Sequence, residues 1–129
     1  MRTIVRNNKR GFTLVELMVA LTILTISMMA MLDCLGRYLQ FNMENVISTE
    51  AMRIAEQQME VMRNSDFTSL AGGNANVVRT FRNKNVTFAV TWWVDVLSVN
   101  NRAVRVQVAW TFMNANHQHN ATTIMSQGA

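Results

Sequence analysis

The chain has 129 residues, of which 50% are hydrophobic and 16% are charged, and this composition excludes a disordered protein and fits one domain of ordinary size. Its net charge of +4 does not indicate a nucleic-acid-binding protein, because residues 1–11 carry four basic residues and no acid, while the remainder carries eight of each sign. A single cysteine, Cys34, excludes an intrachain disulfide and is interpreted as a small apolar filler of a helix.

The first predicted element is a membrane-spanning helix over residues 12–32. Its only charge is Glu16, and at about 1.5 Å per residue it covers roughly 30 Å, the thickness of a bilayer core. The apolar run is longer than the core of a cleaved secretory signal, and no convincing A-x-A pattern follows it. Three polar residues inside it are expected to bond back to helix carbonyls: Thr22, Thr25 and Ser27. The basic residues before it indicate a cytoplasmic N-terminus.

The helix is predicted to continue over residues 33–63 as an amphipathic half. Apolar residues recur there in steps of three and four, with acids and arginines between them, which is typical of one helical face packed on a surface. The chain has no proline that would break a single helix of roughly 50 residues.

Residues 64–129 are predicted to form a small antiparallel sheet. Glycine and asparagine at 71–74 indicate a loop, after which the hydrophobic period changes to two. The predicted strands cover residues 77–82, a run from 86 to 93, 104–112 and 121–125, with turns at 98–102 and 114–120. Short connections favour antiparallel pairing, and the apolar face of the sheet would cover the amphipathic helix half, so the predicted fold class is α+β.

Glu16 raises the question of what compensates a carboxylate at membrane depth, where it costs several kcal/mol without a cation or hydrogen-bond donors. Cleavage between Gly11 and Phe12 would create an α-ammonium at that depth. Two copies shifted along the helix axis would bring the ammonium of one to the carboxylate of the other, so Glu16 would fix the register of stacking helices. Gly11 would leave room for a protease to approach the backbone.

The stretch KRGFTLVELMVALTIL, residues 9–24, closely resembles the cleavage and methylation motif of type IV prepilins and type II secretion pseudopilins. The resemblance implies cleavage after Gly11 by prepilin peptidase, which removes residues 1–11 as a leader, and N-methylation of Phe12. It also implies that Phe12 and Glu16 meet between subunits during assembly.

The stretches AMRIAEQQMEVMRNSDFTSL and VRVQVAW with ATTIM resemble PilV-type minor pilins. Major pilins usually carry a helix-kinking proline and often a C-terminal disulfide, and the lack of both here favours a minor subunit. The resemblance implies a single-pass protein of the bacterial cytoplasmic membrane with its sheet outside the cytoplasm. Its partners would be prepilin peptidase/N-methyltransferase, other pilins, the inner-membrane assembly machinery and the lipid bilayer. It would then enter a pilus and help to initiate or modulate assembly, with a secretion pseudopilin as the closest alternative.

Two further classes stay open at this point. The first is a DNA-binding pilus-tip module that would use Arg79, Arg82 and Arg105, although scattered arginines are more typical of a solvated face and make nucleic acid the less favoured partner. The second is a plain membrane anchor that keeps residues 1–11 and never assembles.

The sequence predicts no enzyme, metal or cofactor. It contains no Ser/His/Asp grouping and no glycine-rich phosphate loop, and His117 and His119 form an H-x-H without further ligands nearby, which favours a solvated turn. Trp92 and Trp93 are expected to point to opposite faces of one strand, so that one lies in the core and the other is available to a partner.

Overall fold

The structure is a computed structural model that describes residues 11–128, so most of the predicted leader lies outside the described residues. One helix, α1, runs from Leu14 to Arg63 over 50 residues. A single 3-10 turn at Phe67–Ser69 leads into four strands: β1 (Gly73–Phe81), β2 (Lys84–Ser98), β3 (Asn101–Phe112) and β4 (Ala115–Ser126). The chain divides into two compact units, one ending at Phe41 and the other beginning at Asn42.

The first unit contains the apolar part of α1. Residues 11–41 are all exposed, including large side chains such as Leu14, Leu21 and Met31. The helix is long and apolar enough to span a membrane. An 18-residue window of it has a mean hydropathy of 2.1, and no residue of that window is buried within the protein. Exposed apolar surface on this scale needs a cover of lipid or of other helices.

The second unit confirms the predicted α+β architecture. The four strands form one antiparallel sheet in the order β1-β2-β3-β4, and the C-terminal part of α1 packs on one of its faces. The buried helix residues follow the predicted spacing of three and four: Ile47, Ala51, Ile54, Ala55, Met59 and Met62. They confirm that this half of the helix is amphipathic.

The inner face of the sheet supplies the other half of the core. Alternate residues of β2 and β3 are buried there, as their period of two predicts: Val86, Phe88, Val90, Val104, Val106, Val108, Trp110 and Phe112. Phe88 is fully buried and lies between Phe81 and Trp110, with ring centroids 6.4 and 5.9 Å away. Burial of these side chains, at about 1.5–3 kcal/mol each, is the main force that holds helix and sheet together.

An ion pair joins the helix to the edge strand β1. The Arg79 guanidinium donates to the Glu50 carboxylate at 3.0 Å, and Arg53, one turn along the helix, donates to the same carboxylate at 2.9 and 2.7 Å. The hydrogen bond from Arg53, reinforced by that from Arg79, lowers the pKa of Glu50 below its ordinary value of 4.5, although partial burial acts in the opposite direction.

The predicted turn at 114–120 is wrong. The connection is only Met113 and Asn114, and β4 begins at Ala115. Both turn residues have positive φ, 50° and 62°, as do Arg82 and Asn83 between β1 and β2, so both hairpins close with two-residue turns. Polar residues of β4 nevertheless form a strand because β3 offers them partners. One example is the amide of Gln107, which donates to Gln118.

Several smaller boundaries also differ from prediction: β2, for example, continues to Ser98 instead of ending at residue 93. Arg82 belongs to a turn, and the predicted turn at 98–102 shortens to Val99 and Asn100. β1 starts at Gly73, inside the predicted glycine loop. Glycine at this position allows close packing against β2, because a Cβ there would come within 2.6 Å of the Trp92 ring.

Candidate processing and assembly site

Helix α1 begins with a side-chain cap. The Glu16 backbone N–H donates to Thr13 Oγ1 at 3.2 Å, and the Leu17 N–H donates to the Thr13 carbonyl at 3.2 Å, so Thr13 is the N-cap residue. Thr-x-x-Glu is the spacing of a capping box. Sequence reasoning overlooked this role of Thr13, although the spacing was sufficient to identify it.

The predicted scissile bond lies outside the helix. Gly11, Phe12 and Thr13 are not helical, Phe12 is 85% exposed, and together with Glu16 they line an open depression of about 500 Å³. A Cβ built on Gly11 would meet nothing within 4 Å. Nothing in the described chain therefore requires glycine at this position. If glycine is required here, the requirement would come from the fit of this backbone into the active site of a peptidase.

Glu16 lies in the first turn of the helix, exposed and directed toward the surroundings. Among residues 11–128 no cation lies within ion-pair distance of its carboxylate. The positive end of the helix dipole stabilises a carboxylate at this position by about 0.3–1 kcal/mol, well below the several kcal/mol that burial in lipid costs. Nothing else within residues 11–128 supplies the remainder.

The polar residues of the apolar segment are satisfied within the helix, as predicted. The hydroxyls of Thr22, Thr25 and Ser27 donate to the carbonyls four residues earlier at 2.8, 2.7 and 2.8 Å. In contrast, the Glu16 carboxylate has no hydrogen-bond or ion-pair partner within residues 11–128.

The three arginines considered for DNA contact do not form one surface. Arg79 lies on the helix side of the sheet and is engaged by Glu50, whereas Arg82 is in the β1–β2 turn. Arg105 lies on the opposite face and donates to Asp95. The charges of Arg79 and Arg105 are thus compensated within the chain, and the three arginines do not line a common groove that could hold DNA.

His117 and His119 lie on β4 instead of in a solvated turn. The His117 ring stacks on Trp110 with centroids 5.5 Å apart and planes 13° apart, and its Nδ1 lies 3.8 Å from Glu44 Oε1 on the helix. Within residues 11–128 there is no group of three His, Cys, Asp or Glu side chains that could hold a metal ion.

The two adjacent tryptophans point to opposite faces of β2, as predicted. Trp92 packs against the core, and its indole N–H donates to the Ala71 carbonyl at 3.1 Å. Trp93 faces away from the helix and is 42% exposed.

In a comparison with protein-family models, residues 6–32 match the prokaryotic N-terminal methylation motif. No curated protein sequence and no solved structure matches the chain. The match covers the predicted cleavage site, the N-cap, Glu16 and most of the apolar segment. It supports a type IV prepilin-like protein that prepilin peptidase processes and that is anchored by one N-terminal apolar helix.

Proposed function

We propose that this protein is a minor type IV pilin of the PilV type. Prepilin peptidase cuts it after Gly11 and N-methylates Phe12, and it then joins a pilus and helps to initiate or modulate assembly. It is a substrate of the processing enzyme and is not itself an enzyme. It waits in the cytoplasmic membrane with its sheet outside the cytoplasm.

The observation that carries this proposal is the geometry of Glu16. Its carboxylate lies in the first turn of an apolar helix, without a cation among the described residues, directly after an exposed and non-helical Gly11–Phe12 bond. Hydrolysis of that bond leaves a carboxylate on Gly11 and an ammonium on Phe12. N-methylation keeps the positive charge on the Phe12 nitrogen, so the product carries the cation that a neighbouring Glu16 lacks.

The pairing is expected between subunits. The new ammonium precedes the cap residue Thr13, so it lies beyond the end of its own helix, while Glu16 projects from the side of the first turn. A neighbour shifted along the axis brings its ammonium level with the Glu16 side chain. The exposed apolar surface of residues 14–32 then leaves lipid and packs against the helices of other subunits. This assembly accounts for both the apolar surface of the segment and the single carboxylate within it.

Two properties of the sequence support a minor subunit. The chain lacks the helix-kinking proline that major pilins usually carry, and a single cysteine cannot close the C-terminal loop that many major pilins close with a disulfide. A type II secretion pseudopilin would be processed identically and remains the alternative. The compensated Arg79 and Arg105 give no support to a DNA-binding tip subunit.

The test compares Glu16→Leu with Glu56→Leu, the same exchange at an exposed position of the same helix in the other unit. Both variants should insert and be processed like the wild type, since neither changes the Gly11–Phe12 bond. Only Glu16→Leu should be missing from sheared filaments while it accumulates in membranes. Equal incorporation of the two variants would contradict the pairing.

Mass spectrometry of the mature N-terminus tests the processing step separately. The expected terminus is N-methylated Phe12, and Gly11→Val should retain residues 1–11, because the added side chain has space in the chain itself and can only obstruct the peptidase. A wild-type protein that still begins at Met1, in cells with an active peptidase, would refute the proposal.

A further inference from the structure

The sheet face that α1 does not cover is polar but almost uncharged. We call it the outer face, formed by the outward side chains of β1 to β4. Asparagine, glutamine, threonine and alanine provide most of it, and its only charged side chains among the described residues, Asp95 and Arg105, pair with each other. The charge on this face is therefore zero at neutral pH.

Trp93 is the aromatic side chain of this face, which also exposes the aliphatic side chains of Val78 and Ile124. It lies on an inner strand, and 42% of its surface remains exposed, where a smaller polar residue would be expected. Its indole N–H has no acceptor among residues 11–128, unlike that of Trp92, which bonds to the Ala71 carbonyl. The ring thus presents both an apolar surface and an unused donor.

Hydrogen-bonding groups surround the ring. Trp93 opposes Arg105 across the sheet, and Thr91, Gln107 and Asn120 form the next cross-strand row. An open depression of about 320 Å³ is lined by Trp93, Arg105, Gln107 and Asn120, among others. The row lies about 6.8 Å from Trp93 along the strand and extends about 9.6 Å across three strands, a size that suits a short chain of sugar rings.

We propose that the outer face binds a neutral polysaccharide chain. The face of the Trp93 ring carries negative partial charge and attracts the polarised C–H groups on the apolar side of a sugar ring. The amides and the hydroxyl of the adjacent row both donate and accept hydrogen bonds, which matches sugar hydroxyls; the Gln107 amide donates one hydrogen to Gln118 and keeps its oxygen and second hydrogen for a ligand. An acidic polymer would find no free cation here. A protein partner would find three large apolar side chains, Trp93, Val78 and Ile124, that lie in three different cross-strand rows instead of forming one apolar centre.

The test uses the full-length protein in phosphatidylcholine nanodiscs, since a maltoside detergent would itself supply sugar. Calorimetric titrations with cellohexaose and chitohexaose should detect binding of at least one of them. Trp93→Ala should weaken it at least tenfold and Gln107→Ala severalfold, whereas Val78→Ala, a change at an exposed position elsewhere on this face, should leave it unchanged. Near-ultraviolet circular dichroism checks that each variant is folded.

Several results would overturn the proposal. They are the absence of binding to either sugar, sugar binding that Trp93→Ala leaves intact, or tighter binding to oligothymidylate or polygalacturonate that Arg105→Gln abolishes. Loss of self-association in Trp93→Ala, measured by sedimentation velocity, would assign the face to a protein partner instead. The inference goes beyond the pilus assignment, and these titrations need no filament, so its failure is distinct from a failure of Glu16 pairing.

Discussion

The ion pair between Glu50 and Arg79 predicts how firmly the edge strand is held on the helix. Glu50 is buried apart from 17% of its side chain and accepts hydrogen bonds from Arg53 on its own helix and from Arg79 on β1. The variant Glu50→Gln keeps the shape of the side chain and removes its charge. It should destabilise the second unit, because the two arginines lose their negatively charged acceptor: the amide keeps one acceptor oxygen and replaces the other with an NH2 donor.

The expected loss in unfolding free energy depends on how far the Glu50–Arg79 pair is exposed to water. A hydrogen bond to a buried charged group contributes about 1.5–3 kcal/mol, whereas an exposed ion pair contributes about 0.2–1 kcal/mol. Arg79 is 40% exposed, so water screens the pair and takes over part of the solvation of the guanidinium when Glu50 is neutralised. We expect a loss of about 1–2 kcal/mol for Glu50→Gln, of which about 1 kcal/mol is the coupling to Arg79.

The measurement is thermal unfolding of the full chain in nanodiscs, followed by the near-ultraviolet signal of the tryptophans. For a unit of this size 1 kcal/mol corresponds to about 4–8 °C in Tm. Glu60→Gln is the matched control, because its pair with Arg63, at 3.4 Å, is exposed by 60% and 59% on its two sides. A double-mutant cycle of Glu50→Gln with Arg79→Gln that shows no coupling, or a shift equal to that of the control, would refute the reasoning.

Three other changes have defined outcomes. Because hydrogen bonds from the arginines lower the pKa of Glu50, its contribution is complete above the ordinary value of 4.5 and is lost as the pH falls through the lowered value, so the Tm difference between wild type and Glu50→Gln should shrink in acid. Phe88→Ala removes a fully buried ring and should cost about 3–5 kcal/mol in denaturant titrations, far more than Val78→Ala at a site 52% exposed. Asn114→Gly places glycine where φ is 62° and should raise Tm by a few degrees, corresponding to about 0.5–1 kcal/mol; a lower Tm would contradict the two-residue turn.

The helix and the two inner strands could be predicted because their apolar residues recur with the period at which each element faces the core. Ile47, Ala51 and Ile54 follow a helical period, and Phe88 and Val90 follow a strand period, since each contacts the same core. A residue pattern of this kind exists only where one side of an element is buried in apolar surroundings.

The second half of β4 was predicted as a strand at residues 121–125, but its first half could not be predicted, because it lacks such a pattern. Its residues from Ala115 to Asn120 are small or polar, so no hydrophobic alternation marks them, and their strand conformation depends on pairing with β3. His117 lies on the inner face, where it stacks on Trp110, but histidine and asparagine in sequence are typical of turns. Tertiary contacts overrode local preference here.

At the candidate site the sequence predicts the residues, and the structure adds the cap at the start of the helix. Because Thr13 is the N-cap, Phe12 lies outside the first helical turn, which carries Glu16. Had the helix begun earlier, the amine would point along the axis among the free N–H groups of that turn. In the proposed assembly, the cap would therefore leave the Phe12 ammonium and the Glu16 carboxylate of each subunit available to different neighbours, one on each side along the axis, so that a chain of such pairs could extend with every subunit added.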